Sequence, residues 1–203
     1  MFHLKPMESL ARKFYTESEY LALEKSAEYK SEFYKGEIFV MACASALHNR
    51  LVRNLTGLFW EKFRNLPCNV YATDLRVRID KSGLYTYPDL VIVCGKEEYL
   101  DTNLDTLTNP TILLEVLSDS TEKYDRGQKF SFYREIPSLE EYILVSSREI
   151  KIEKFKRVES GNWLFSESKK GEPFPIESID AFLNLEDVYE KIDWSVVENK
   201  GLR

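Results

Sequence analysis

Two carboxylates stand where carboxylates are costly. Asp89 sits in the run Pro88-Asp89-Leu90-Val91-Ile92-Val93, and Glu115 sits in Ile112-Leu113-Leu114-Glu115-Val116-Leu117. Both runs are short, continuous and apolar, the pattern of strands covered on two faces at the centre of a sheet. An unpaired carboxylate buried there costs several kcal/mol unless its pKa rises or a cation compensates it. Two such costs, on strands that can be neighbours, point to one shared cation. Carboxylate oxygens with waters are the ligands Mg2+ prefers, with Mn2+ as a substitute, and the ion is commonly held by one or two carboxylates plus a substrate phosphate. Held there, it would polarise a phosphodiester, acidify a water and stabilise developing charge. The alternative is that each acid ends its strand facing solvent or pairs with an arginine. Only two histidines exist, His3 and His48, so a His-rich centre is excluded and a metal here must be held by oxygen.

Side chains alternate along a strand, so Leu113, Glu115 and Leu117 share one face. In many metal-dependent nucleases a lysine stands two residues beyond the acid, and here that place is Leu117. Lys129, on a helix expected over residues 125–135, could reach back instead, orienting the nucleophile and stabilising the pentacovalent charge. Its alternative is an exposed helical lysine paired with Asp125 at i,i+4. Glu37, after Gly36, reads as an ordinary exposed strand acid. His48, near the start of a helix, reads as structural or capping, or as a donor to a phosphate or a metal ligand. Arg76 and Arg78 are expected on the outer face of a half-buried strand, Tyr133 as a packing residue on the Lys129 face, and Trp60, Trp163 and Trp194 in the core or at an interface.

The elements that must position these residues follow from the pattern. A helix is expected over residues 18–30, capped by Ser18 or Thr16. A hairpin follows, turned at Lys35-Gly36, with its second strand over 37–42. The longest helix runs from Ser45 to about Arg64, with Leu47, Leu51, Leu55, Leu58, Phe59 and Phe63 at helical spacing. Strands are expected over 69–72, 74–79, 87–93, 111–117 and 141–145, the last two joined by the 125–135 helix as a crossover. A strand pair over 150–157 and 162–167, turned at Ser160-Gly161, and a short amphipathic stretch over 184–191 close the pattern. The expected architecture is an α/β fold, a mixed sheet with helices on both faces.

Composition sets the bounds. The 203 residues are 43% hydrophobic and 31% charged, enough apolar material for one substantial core. No segment reaches the about eighteen apolar residues that span a bilayer. The opening stretch is polar and lacks the apolar region of a secretory signal, so a cytoplasmic protein with no membrane partner is expected. Cys43, Cys68 and Cys94 are odd in number and far apart. They are expected to be small buried hydrophobes, with neither a disulfide nor a zinc site. The net charge of −6 argues against a simple basic nucleic-acid coat, though not against an enzyme with one basic face.

Taken together, Pro88-Asp89, Glu115-Val116-Leu117-Ser118 with Ser120-Thr121, Asp125-Arg126-Gly127-x-Lys129 and Tyr133 resemble the PD-(D/E)XK nuclease superfamily. Within it the chain is most similar to the Uma-two family of restriction-endonuclease-like proteins. Gly36-Glu37-Ile38 with Met41, Ser45 and His48 matches upstream, as does Pro137 before Glu141-Tyr142-Ile143-Leu144-Val145, so the resemblance runs from about residue 18 to 190. It implies a restriction-endonuclease-like core over about 18–146, with a C-terminal strand extension over 147–203, in one domain. It implies Mg2+-dependent hydrolysis of nucleic acid, with Asp89 and Glu115 as metal ligands, Lys129 as the displaced lysine, and Glu37 completing the site. DNA is the expected substrate and a homodimer the expected assembly, since cutting two strands takes two sites. Two other readings stay open: a catalytically silent nucleic-acid-binding or protein-interaction module on the same fold, and a hydrolase of non-nucleic phosphodiesters.

Overall fold

The computed structural model describes residues 13–195; the polar opening stretch, with His3, lies outside them. Helix α1 (Glu17–Glu24) starts on Thr16, whose hydroxyl accepts the Glu19 N–H while the Glu19 carboxylate takes the Thr16 N–H, a reciprocal capping box. It ends earlier than the expected 18–30 span. Strands β1 (Ser31–Tyr34) and β2 (Glu37–Val40) form the expected hairpin. Its two turn residues, Lys35 and Gly36, both have positive φ (48° and 84°), as primed two-residue turns between twisted strands demand.

Helix α2 (Ala46–Phe63) is capped by Ser45 and buries Leu51, Val52, Leu55, Phe59 and Phe63. Strands β3 (Cys68–Ala72), β4 (Arg76–Ile79), β5 (Leu84–Thr86), β6 (Leu90–Cys94), β7 (Thr106–Leu107) and β8 (Ile112–Val116) follow. A composite helix then runs through α3 (Glu122–Tyr124), a π-helical segment (Asp125–Lys129) and α4 (Phe130–Tyr133), in place of the expected 125–135. It carries the chain from β8 to β9 (Glu141–Val145), which lies parallel to β8 as a crossover requires.

Strands β10 (Lys151–Arg157) and β11 (Trp163–Lys169) continue the same sheet, so the central sheet is mixed and six-stranded, in the order β11-β10-β9-β8-β6-β3. One face packs under α2 through Leu90, Ile92, Ile112, Leu114 and Val116. The other packs under the composite helix through Val91, Val93, Leu113, Leu117, Tyr142 and Leu144. A separate pair, β12 (Pro173–Ile176) and β13 (Ala181–Asn184), and the short helix α5 (Leu185–Val188) close over the α2 face.

Several expectations change. A second sheet, ordered β2-β1-β5-β4-β7, was not legible as a unit, because β5 and β7 are too short to show a period. Arg76 is buried rather than on an outer face: its guanidinium donates to Thr106, Tyr87 and Asp105, which cover it. Arg78 is half-buried and donates to the Tyr85 hydroxyl. Trp60 is exposed, with the Arg64 guanidinium over its ring.

Cys68 and Cys94 are disulfide-bonded across β3 and β6, and Cys43 is exposed, so the cysteines are not three buried hydrophobes. The bonds Gly95 N–H to Pro67 carbonyl and Thr73 N–H to Asp89 carbonyl flank the pairing and make Cys68–Cys94 a non-hydrogen-bonded pair. Such pairs bring side chains closest together. Only strand register creates that proximity, because the two residues are 26 apart in the chain. Among the described residues, no helix is long and apolar enough to cross a membrane.

Candidate active site

The chain crosses from one sheet to the other at Tyr87-Pro88-Asp89, between β5 and β6. This step puts Asp89 at the start of β6, beside the end of the antiparallel neighbour β8 that carries Glu115. One Asp89 oxygen, Oδ2, accepts the Val116 N–H at 2.8 Å. The Asp89 N–H points at Glu115 Oε2 from 3.4 Å. The two acids therefore meet at the ends of two neighbouring strands inside the central sheet, as the sequence suggests.

Lys129 joins them. Its ammonium lies 2.8 Å from Glu115 Oε1, 3.5 Å from Glu32 and 3.6 Å from Asp125. The lysine thus reaches back to the strand acid, and it also pairs with Asp125 at i,i+4. It is not the exposed surface pair, because Lys129, Glu115 and Asp125 are all buried. The π-helical segment spans Asp125 to Lys129, with both ends buried and Gly127 and Gln128 exposed. Single π turns inside α-helices occur frequently at functional sites. The Tyr142 hydroxyl on β9 donates to the Asp125 carbonyl at 3.1 Å and pins this segment to the sheet.

Two residues complete the cluster that sequence reasoning missed. Glu32 on β1 accepts from the Thr86 hydroxyl and, at 3.0 Å, from the Tyr124 hydroxyl. Tyr133, expected only to pack, donates its hydroxyl to Glu115 Oε1 at 2.8 Å. The signal for Tyr133 was its place four residues after Lys129. Glu32 gave none beyond being an acid in a short apolar strand. Glu37 lies half-buried on β2 opposite Tyr34 and is not among the carboxylates that contact Lys129. Leu117, in the place of the usual strand lysine, is buried in the core under the composite helix.

The electrostatics follow from burial and crowding. Burial pushes the Glu115 carboxyl well above the ordinary carboxylate range; Lys129 pulls it down, and the Asp89 and Asp125 charges add to the rise. Burial also raises Asp125, against the pull of Lys129. For Lys129, burial opposes the charge, but Glu115, Glu32 and Asp125 outweigh it and hold the ammonium well above its usual range. Carboxyl groups thus outnumber the one lysine in a poorly solvated space.

A divalent cation fits this surplus. Glu115 Oε1 is taken by Lys129 and Tyr133, and Asp89 Oδ2 by backbone and ring donors. Among the described residues, Asp89 Oδ1 and Glu115 Oε2 remain, the latter with only the long Asp89 N–H. Two carboxylate oxygens are within the usual protein share of a Mg2+ shell, whose remainder is water and phosphate. Among the described residues, no three His, Cys, Asp or Glu side chains form a ready-made cage.

Fold and site together define an α/β protein with a restriction-endonuclease-like core. The chain matches, over residues 17–186, the family described as "Uma2: Putative restriction endonuclease", and it belongs to that family. It is 39% identical over 155 residues to the uncharacterized protein sll1609 of Synechocystis sp. (strain ATCC 27184 / PCC 6803 / Kazusa), covering 76% of this chain and 88% of that one. It is 32% identical over 171 residues to the uncharacterized protein slr1290 of the same strain, covering 84% and 89%. A crystal structure described as "a putative nuclease belonging to DUF820", from Anabaena variabilis ATCC 29413, superposes with a TM-score of 0.70. It is 15% identical and covers 85% of this chain and 96% of that one, which shows a shared fold.

Proposed function

We propose that the protein is a Mg2+- or Mn2+-dependent nuclease that hydrolyses DNA phosphodiester bonds at Asp89, Glu115 and Lys129. The family's restriction-endonuclease description and the nuclease description of the Anabaena variabilis structure point to the same class of activity. One observation carries the reading: Lys129 is buried 2.8 Å from Glu115 among carboxylates it cannot neutralise alone, at the strand ends where Asp89 also arrives. A cation held by Asp89 Oδ1 and Glu115 Oε2 would supply Lewis-acid stabilisation of the charge developing on the phosphodiester.

The chain's own residues do the rest. Asp89, tethered to the β8 backbone, keeps its carboxylate fixed. Lys129 is held as an ammonium, so it donates hydrogen bonds and offsets phosphate charge rather than accepting a proton. Tyr133 fixes the Glu115 carboxylate from the helix side. Glu32 and Asp125 keep the ammonium charged and in place. Glu37 is kept as an outlying candidate acid. A homodimer would supply the second site for the second strand.

The test is incubation of plasmid and linear DNA with Mg2+ or Mn2+, alongside Asp89→Ala. Metal-dependent cleavage that the substitution removes supports the proposal. No cleavage with any substrate and metal, or equal cleavage by the variant, sinks it. A second reading, a silent binding module on the nuclease fold, is favoured by the closed Lys129–Glu115 pair and the absence of a three-ligand cage among the described residues. Calorimetry with Mn2+ separates the two, since a site lost in Glu115→Ala belongs only to the first.

A further inference from the structure

His48 stands outside the charged cluster, yet its ring reaches the site. Ser45 caps α2 and its hydroxyl accepts the His48 N–H at 3.2 Å, which fixes position 48 in the first helical turn. From there the imidazole Nε2 lies 2.9 Å from Asp89 Oδ2. Both side chains are largely enclosed, 14% and 18% exposed. The ring is not part of the buried apolar stripe of α2, which is Leu51, Val52, Leu55, Phe59 and Phe63. Its other nitrogen, Nδ1, is buried and has no hydrogen-bond partner among the described residues. The polar contact the ring does make is to Asp89.

The geometry has a direct consequence for the carboxylate. Oδ2 is gripped from two sides, by the Val116 N–H of β8 and by the α2 imidazole. A carboxylate with one oxygen held by two donors from different elements cannot rotate without breaking one of them. Oδ1 is then the oxygen that these two bonds leave over. We infer that His48 is a positioning residue: it donates Nε2–H to Asp89 and fixes the rotamer that offers Oδ1, with Glu115 Oε2, to a divalent cation. This rests on the metal-site reading above and adds to it an orienting donor on α2. Ligating carboxylates are themselves hydrogen-bonded, and losing such a partner typically weakens metal binding about 10–100-fold.

The test is Mn2+ calorimetry on the full chain, wild type against His48→Asn, His48→Leu and His48→Gln, with the metal-free thermal midpoint of each. A Gln amide nitrogen can replace Nε2, an Asn amide is too short to reach Asp89, and Leu fills the volume without a donor. The expected result is Mn2+ affinity about 10–100-fold weaker for the Asn and Leu variants, with Gln close to wild type. A packing role would follow side-chain volume and the thermal midpoint instead. Asn or Leu variants that bind Mn2+ like wild type, or a Gln variant as weak as they are, overturn the assignment while leaving the metal site standing. A wild type that binds no Mn2+ overturns the metal-site reading and this assignment with it. Asn and Leu are polar and apolar replacements, so if one fails to fold the other still reports.

Discussion

Two buried lysines sit on opposite faces of the same sheet, and one of them lies in the candidate site. Lys154, on β10, is 1% exposed and donates to the Pro175 carbonyl at 2.6 Å and to Glu177. Its other acid, the fully buried Glu141 on β9, lies 3.6 Å away and accepts the Ser178 N–H. Glu177 is partly solvated, so water shares its charge. The Lys154 cluster ties β12 and the turn after it to the sheet and is close to balanced. Lys129 instead faces Glu115, Glu32 and Asp125, with Asp89 beside them, where the chain crosses between the two sheets. The ingredients are alike. The difference is the number of carboxyl groups crowded around each lysine, and a buried lysine among several perturbed carboxyls is the functional-site candidate of the two.

The comparison can be broken most directly by removing each lysine. Lys129→Met should lower DNA cleavage by about 100-fold or more, the scale expected for losing a preorganised charge-stabilising donor. Lys154→Met should leave cleavage per folded molecule unchanged in the same assay. Equal losses in both would make the Lys129 cluster merely structural. In denaturant titration, Lys154→Met should cost about 3–5 kcal/mol, because a buried Glu141 loses its cation. A cost near zero would show that the pair is already solvent-screened.

Metal sharpens the contrast. At about a hundredfold excess over Kd, Mn2+ should stabilise the wild type by about 2.7 kcal/mol. Lys154→Met should keep that increment and Glu115→Ala should lose it, both read from thermal midpoints. The smallest effect concerns pH. Burial raises the Glu141 carboxyl above its ordinary value. A raised folded pKa contributes stability that is complete below the unfolded value, about 4.3, and fades as pH rises through the folded value. Glu141→Gln should therefore flatten the fall in stability above that pH, measured by denaturant titration. An unchanged slope would remove Glu141 from the account.

Much of this was legible in the residues. The apolar runs around Asp89 and Glu115 announced adjacent strands, and the helical spacing of Leu51, Leu55, Phe59 and Phe63 announced α2. That Lys129 reaches Glu115 was foreshadowed by Leu117 and the helix after it. What stayed hidden were contacts between segments remote in the chain. Glu32 reaches Lys129 because β1 pairs with β5, a strand of three residues with no periodicity of its own. Cys68 meets Cys94 only through the β3–β6 register. Arg76 looked outward because alternation assumes one solvated face, and β7 with the preceding Asp105 supplies the partners that enclose its guanidinium.

The sequence by itself determined the two costly acids, the helices and strands that carry them, and the family. Local pattern is enough for these, because burial periodicity and turn chemistry act within a few residues. Tertiary structure alone decided which acids gather at Lys129, that Tyr133 and His48 hold the two candidate ligands, and that Lys154 is balanced while Lys129 is not. Those facts depend on strand register and on a chain that crosses between two sheets at Pro88-Asp89. No local preference encodes them, because the free energy that selects them comes from burying whole faces at once.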